Sequence, residues 1–262
     1  MKSLLYRGWV RFVSVLGVML LGFLLNPLGM PAAEAIGIPS PGWWNRSDSG
    51  YQERSLHNPD GIGKLYMGRE ISQVMGHRGA GWLERDSRNL EEQPELAIAA
   101  LDLKPTDVVA DIGAGTGYFS FRISQRVPEG KVLAVDIQPE MIDILNYLKQ
   151  ENQISNVEPV LGTLTDPHLP SNSVDLAIMV DAYHEFEYPR EMMEGIVQAL
   201  KPNGQVVLLE YRGENPLIPI KALHKMTQKQ VKKEMQAVGL TWQETQDLLP
   251  QQHLMVFRKP AT

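Results

Sequence analysis

From residue 107 onward the chain alternates between two hydrophobic rhythms. Short runs that are apolar at almost every position, DVVADIG (107–113), KVLAVDI (131–137), VEPVLG (157–162), VDLAIMV (174–180) and QVVLLEY (205–211), read as strands buried on both faces. Between them, Tyr118 to Arg126, PEMIDILNYLKQ (139–150) with Pro139 in its first turn, and PREMMEGIVQAL (189–200) stopped by KPNG (201–204) read as helices. Such alternation predicts a parallel sheet covered by helices on both sides. The end of the chain changes pattern: a helix over 228–240 is followed by TWQETQDLL (241–249) and HLMVFRK (253–259) across a short PQQ, an antiparallel hairpin on the sheet's edge. The predicted fold class is therefore α/β, a doubly wound, mostly parallel seven-stranded sheet with a C-terminal antiparallel hairpin.

The preceding residues are less regular. Residues 36–65 are rich in Gly, Pro, Ser and Asn and show neither periodicity, which predicts an irregular arm. A short helix is expected over 68–74, a loop at GHRGAG (76–81), and a helix over LEEQPELAIAAL (90–101) that carries Leu96, Ile98 and Leu101 and ends before Pro105. The segment 76–88 is placed to fold over a cleft as a lid, with Trp82 and Arg85 either touching a bound molecule or pinning the arm to the core.

At the start, Lys2, Arg7 and Arg11 precede FVSVLGVMLLGFLL (12–25), and PAAEA (31–35) supplies small residues, the pattern of an export signal cleaved after Ala35. The uncharged stretch from Phe12 to Ala33 approaches membrane-span length, so an uncleaved anchor is the alternative; either way the domain is expected outside the membrane's positive side, in a periplasm or lumen. The predicted organisation is a leader (1–35), an arm and possible lid (36–89) and a ligand-binding domain (90–262). Membrane contact is expected only through the leader.

Composition is that of a folded globular chain, 43% hydrophobic and 21% charged over 262 residues. A formal charge of -6 and no basic block give no support to a nucleic-acid partner. There is no cysteine, which removes disulfides, thiolate nucleophiles and Cys-ligated metals together. No metal site is predicted.

The stretch DIGAGTGYFSF (111–121) places glycines at 113, 115 and 117 where the first strand turns into a helix. In a doubly wound sheet this turn approaches the ligand most closely, and bare backbone allows that approach. A dinucleotide fingerprint starting at Gly113 needs glycine at position 118, which is Tyr118, and a phosphate loop needs a Lys that is absent. A phosphate-free nucleoside fits the turn better.

This D-x-G-x-G-x-G pattern resembles the glycine-rich motif of class I S-adenosylmethionine (SAM) dependent methyltransferases, and the likeness extends over roughly 94–259, including LKPNG before the fifth strand. The resemblance implies a Rossmann-like methyltransferase fold with SAM as cofactor. It implies that Asp111 helps to hold the cationic amino acid part, that Gly113, Gly115 and Gly117 pass the sulfonium and ribose, that Asp136 takes the ribose hydroxyls, and that Ile137 lies against adenine. Thr163 and Leu164 occupy the family's adenine-edge position, although many members carry an acid where this chain has Thr163.

After the fourth strand, DAYHEFEYP (181–189) resembles the loop of the ubiquinone and menaquinone biosynthesis type. Asp181 and His184 are the candidate catalytic residues, His184 because imidazole titrates near neutrality and suits a general base. Glu210, Tyr211 and Arg212 are expected at the cleft rim. The implied function is methyl transfer from SAM to a small organic or lipid-like acceptor; an exported, non-catalytic SAM-binding module and an aminopropyl transferase are the alternatives. An exported enzyme would meet little of a cytosolic cofactor, a tension the sequence leaves standing. It says nothing of oligomeric state.

Overall fold

The structure, a computed structural model, describes residues 50–261. The expected leader and the arm up to residue 49 lie outside the described residues, and among those described no helix is long and apolar enough to cross a membrane.

The main sheet contains β4 (Val108–Ile112), β5 (Lys131–Asp136), β6 (Val157–Leu161), β7 (Val174–Val180), β8 (Leu200–Tyr211), β9 (Thr241–Gln246) and β10 (Gln252–Arg258), in the order β6-β5-β4-β7-β8-β10-β9. The first five are mutually parallel, and β10 runs antiparallel to both β8 and β9. Alternate residues feed two cores. Ala110, Ile112, Leu133, Val135, Ala177 and Met179 face one side, whereas Val109, Val132, Ala134, Leu176 and Ile178 face the other. Helices α6 (Pro189–Ala199) and α7 (Gln228–Ala237) close the first core through Met193, Ile196 and Met235; α3 (Pro94–Ala99), α4 (Tyr118–Ser124) and α5 (Pro139–Glu151) close the second through Ile98, Ile123 and Leu145. The order reverses at β4, whose neighbours are β5 and β7, so a crevice opens at the carboxyl ends of these strands.

Three local expectations are corrected. Residues 51–72, expected as an irregular arm running into a short helix, form a three-stranded antiparallel sheet of β1 (Tyr51–Glu53), β2 (Gly61–Tyr66) and β3 (Arg69–Ser72). The hairpin turn is Met67-Gly68, with φ of 49° and 95°; two left-handed residues make a turn that usually advertises itself with Asn-Gly, and here Met67 conceals it. The loop expected at 76–81 is a 3-10 turn (His77–Gly79) leading into α1 (Ala80–Leu83). The helix expected over 90–101 is split into α2 (Arg88–Glu91) and α3, because Gln93 adopts a left-handed conformation (φ 50°) before Pro94, and proline disfavours a helical residue ahead of it.

A smaller difference concerns KPNG, which was expected only to stop α6. It is an outward bulge inside β8: Leu200 pairs with Val174 and Gln205 with Leu176, so the excursion lies within one continuous strand.

Candidate functional site

One cavity of about 470 Å³ lies at the reversal point, within the range that accommodates a small ligand. Its floor is built from strand ends: Ile112 closing β4 and Gly113 after it, Asp136 closing β5 and Ile137 after it, Val180 closing β7 and Asp181 after it, and Tyr211 at the end of β8. Its other walls come from residues 74–92 and from Pro219–His224.

The glycine turn approaches its neighbours too closely for side chains. Gly113 has φ 74° and a Cβ there would stand 2.7 Å from the Ala182 Cβ; Gly115 has φ 57° and its Cβ would meet the Leu83 Cδ1 at 2.6 Å. Both line the cavity, whereas Gly117, the residue before α4, does not.

Asp136 is 5% exposed and is held at both oxygens: Oδ2 accepts from the Gly115 N–H and Oδ1 from the Gln138 N–H, each at 2.9 Å. Each oxygen keeps a further lone pair, so the carboxylate is a fixed, paired acceptor on the cavity floor. Burial raises its pKa, and these backbone bonds oppose the rise. Ile137, Met141 and Leu164 continue the wall beside it as an apolar slot. Thr163 does not join them, because its Oγ1 accepts from the N–H groups of Thr165 (3.3 Å) and Asp166 (3.0 Å) and closes a local turn.

Asp111 faces elsewhere. Strand alternation directs Ile112 into the cavity and Asp111 to the opposite side of the sheet, where its Oδ2 accepts from the Ser120 hydroxyl at 2.6 Å. Burial pushes its carboxyl up to about 6 against that hydrogen bond. The acid that does face the cavity from the neighbouring strand is Asp181. It holds a left-handed backbone (φ 49°), its N–H donates to the Leu209 carbonyl, and its Oδ2 accepts from the Gln252 amide at 2.7 Å. Its Oδ1 is buried without a hydrogen-bond partner. Burial first, and then the charges of Glu92 and Glu210, hold its pKa well above the usual carboxylate range.

Opposite Asp181 lies a charged cluster that sequence reasoning missed in part. Glu92, 1% exposed, accepts from Arg88 Nε (2.7 Å), from the Tyr211 hydroxyl (2.9 Å) and from Arg85. Arg85 also stacks on Trp82, its guanidinium 3.9 Å from the ring centre. Trp82 is 51% exposed and lines the cavity, so it does not serve as a core pin. The i,i+4 spacing of Arg88 and Glu92 was the one available signal, and it reads equally as an ordinary surface pair.

His184 is 2% exposed in a 3-10 turn (Tyr183–Glu185) after β7. Its Nδ1 lies 2.6 Å from Glu210 Oε2, and its Nε2 lies 3.1 Å from His224 Nδ1. Burial lowers its pKa, but Glu210, followed by Glu185 and Asp181, outweighs burial and raises it. The small sheet fixes this turn from behind. Arg69, half-buried, forks onto buried Glu234 at 2.9 and 3.0 Å and donates to the His184 carbonyl at 3.0 Å, while the Ser72 hydroxyl reaches the same carbonyl at 3.3 Å. Arg212, expected at the rim, instead pairs with Asp247.

The donor set fits SAM. Asp181, Arg85 and Arg88 line the same cavity as the glycine turn, the Asp136 carboxylate, anchored at both oxygens, can take a diol, and the bare backbone of Gly113 and Gly115 leaves room for the ligand.

Comparison with known proteins agrees. Residues 109–204 match the methyltransferase domain family model. The chain is 33% identical over 124 residues to an uncharacterized methyltransferase-like protein of Schizosaccharomyces pombe, covering 45% of this chain and 46% of that one. It is 29% identical over 117 residues to the ubiquinone/menaquinone biosynthesis C-methyltransferase of Hydrogenovibrio crunogenus, covering 44% and 46%. The chain thus spans about half the length of these curated relatives. Among solved structures, a SAM dependent methyltransferase from Aquifex aeolicus superposes with a TM-score of 0.67 at 21% identity, over 71% of this chain and all of the other. Residues 109–204 thus match a methyltransferase domain model, and the chain shares its fold with a SAM dependent methyltransferase.

Proposed function

We propose that the protein transfers a methyl group from SAM to a small organic or lipid-like acceptor. One observation carries this reading: a single cavity joins the glycine turn, Asp136 and Ile137 on one side to His184, Phe186, Tyr211 and His224 on the other, so cofactor and acceptor share one space. The cofactor supplies an electrophilic methyl group on a sulfonium. The chain's own work is then alignment and proton removal. Asp136 orients the ribose, Asp181 and the Arg85–Arg88 pair hold the two ends of the amino acid part, and Ile137 and Leu164 sandwich the adenine. Buried His184, oriented by Glu210, is the group placed to accept an acceptor proton.

The apolar residues among the lining, together with the likeness to a quinone-biosynthesis C-methyltransferase, favour an acceptor with a ring hydroxyl or activated ring carbon. The leader is assigned to export or anchoring; sequencing the mature amino terminus from fractionated cells tests it, and an intact Met1 in soluble cytosol overturns it.

Calorimetric titration of SAM into the full chain is the direct test, with Asp136→Ala as control. Binding by the parent and roughly 100-fold weaker binding by the variant are expected. No heat from the parent overturns the cofactor assignment. Transfer of labelled methyl to hydroxylated aromatic acceptors separates an enzyme from a binding module, and aminopropyl products would point to the other transferase class.

A further inference from the structure

Next to the acceptor side of the cavity, His184, Glu185 and His224 bring three donor atoms to one point. His184 Nε2 and His224 Nδ1 are 3.1 Å apart, and Glu185 Oε1 lies 3.8 Å from the first and 3.5 Å from the second. For ligands about 2.0–2.1 Å from a tetrahedral ion, neighbouring donors stand about 3.3 Å apart, so the triangle has nearly the right edges before any ion arrives. We propose that these residues form a binding site for one divalent transition-metal ion.

The groups behind the donors argue the same way. The far nitrogen of each imidazole lies near a carboxylate: His184 Nδ1 is hydrogen-bonded to Glu210 Oε2 at 2.6 Å, and His224 Nε2 lies 3.2 Å from Asp60 Oδ2, a buried oxygen that makes no hydrogen bond in this arrangement. A carboxylate in that position draws the ring proton to the outer nitrogen and leaves the inner lone pair free, which is how metal-binding histidines are oriented. Glu185 is aimed as well, because its Oε2 accepts from the Met75 N–H at 3.1 Å and Oε1 is left to face the rings. With the ring protons on the outer nitrogens, two lone pairs and a carboxylate oxygen converge on one point, an arrangement that a cation relieves; without a cation, a single proton bridging the two rings at 3.1 Å does the same.

The supports are rigid. The His184 carbonyl is tied to Arg69 and Ser72, and His224 ends a 3-10 turn whose N–H donates to the Lys221 carbonyl. Two imidazoles and one carboxylate suit zinc, iron, cobalt or nickel better than magnesium or calcium, which prefer all-oxygen cages. All three residues line the cavity, so three protein ligands would leave positions open toward a small molecule. Where the methyl acceptor carries a hydroxyl, its oxygen would take an open position and release its proton to solvent; the ion would then do the activating that His184, engaged as a ligand at Nε2, does as a base in the metal-free site. That use rests on the methyl-transfer proposal, whereas metal binding itself does not. The sequence shows no spacing motif because His184 and Glu185 are adjacent and His224 arrives from a separate loop.

The test uses the untagged full chain, stripped with chelator and free of SAM. Zn²⁺ is titrated by calorimetry and Co²⁺ by its visible absorption. One equivalent is expected to bind, with cobalt bands typical of a four- or five-coordinate nitrogen–oxygen site. His224→Ala should weaken binding about 100-fold and Glu185→Gln about 10-fold, in line with the sensitivity of such sites; His168→Ala, at an exposed position, should leave it unchanged. His224 is only partly buried, and circular dichroism checks that each variant folds. No binding by the parent, or equal binding by parent and both ligand variants, overturns the site. So do imidazole ¹⁵N spectra of the parent that show one proton shared between His184 and His224 and no change on adding Zn²⁺. A failure here would leave the SAM titration untouched, so the two proposals fall separately.

Discussion

At the scale of single residues, two buried aspartates report on different things. Asp181 faces the cavity with one oxygen unpartnered, and burial with its acidic neighbours holds its proton on well above the usual carboxylate range. An ammonium brought into the cavity beside Asp181 favours the charged form of its carboxyl. Binding of SAM near neutral pH is therefore expected to release up to about one proton, seen as a binding enthalpy that changes with the ionisation heat of the buffer. Asp181→Asn should abolish the dependence, and an unchanged dependence in that variant would remove Asp181 from the cofactor site. Asp111 lies on the other face of the sheet, and its carboxyl is raised from 3.8 to about 6, chiefly by burial. Its folded pKa is higher than its unfolded one, so the native state binds the extra proton between those values and stability rises as pH falls through that window. Above about pH 6 the buried charge costs about 3 kcal/mol at the usual 1.36 kcal/mol per unit. In urea unfolding of ligand-free protein, Asp111→Asn should match the parent near pH 4 and exceed it by up to about 3 kcal/mol at pH 8. A gap that does not widen with pH would contradict the assignment.

At the scale of elements, the small sheet β1–β3 is the feature that shapes the acceptor side, and it was the part least legible in the sequence. Its strands are only three to six residues long, its turn uses Met67, and Lys64 reads as a surface charge although it is buried 3.3 Å above the Tyr188 ring. Short strands carry too few repeats for a period to show. The central strands, by contrast, were readable because burial on both faces makes them continuously apolar, and the bounds of β7 match the expected run residue for residue. The docking of the small sheet turns on the fork between Arg69 and buried Glu234, which also holds the Tyr183 hydroxyl at 2.8 Å. Removing one partner leaves an uncompensated buried charge, typically worth about 3–5 kcal/mol. Arg69→Met should cost that much in urea unfolding, and Arg69→Met/Glu234→Leu should recover part of it. A single variant within about 1 kcal/mol of the parent would show that the fork does not hold the sheet.

At the scale of the whole molecule, the sequence located the floor of the site but could not assemble its walls. Gly113, Gly115, Asp136, Ile137, Leu164, Asp181 and His184 all line the cavity, since a strand-end motif fixes where such residues emerge. Asp111, Gly117 and Thr163 do not, because side-chain direction and local turns decide what a position one residue away will face. Arg88, Glu92 and His224 come from segments far from the glycine turn, and only the folded chain brings them together. This composite construction has a thermodynamic consequence. A cofactor that touches both the strand ends and residues 74–92 links two otherwise separate stretches, so its binding should stabilise both. At about 100 times its dissociation constant it adds about 2.7 kcal/mol, which for a domain of this size raises Tm by about 5–10 °C. Hydrogen exchange should slow at 80–92 as well as at 111–117 when SAM is added, and Asp136→Ala should lose both effects under the same conditions. Protection confined to the strand ends, with 80–92 exchanging as before, would show that the cofactor does not reach the Arg85–Arg88 wall and that the charged cluster there serves the fold alone.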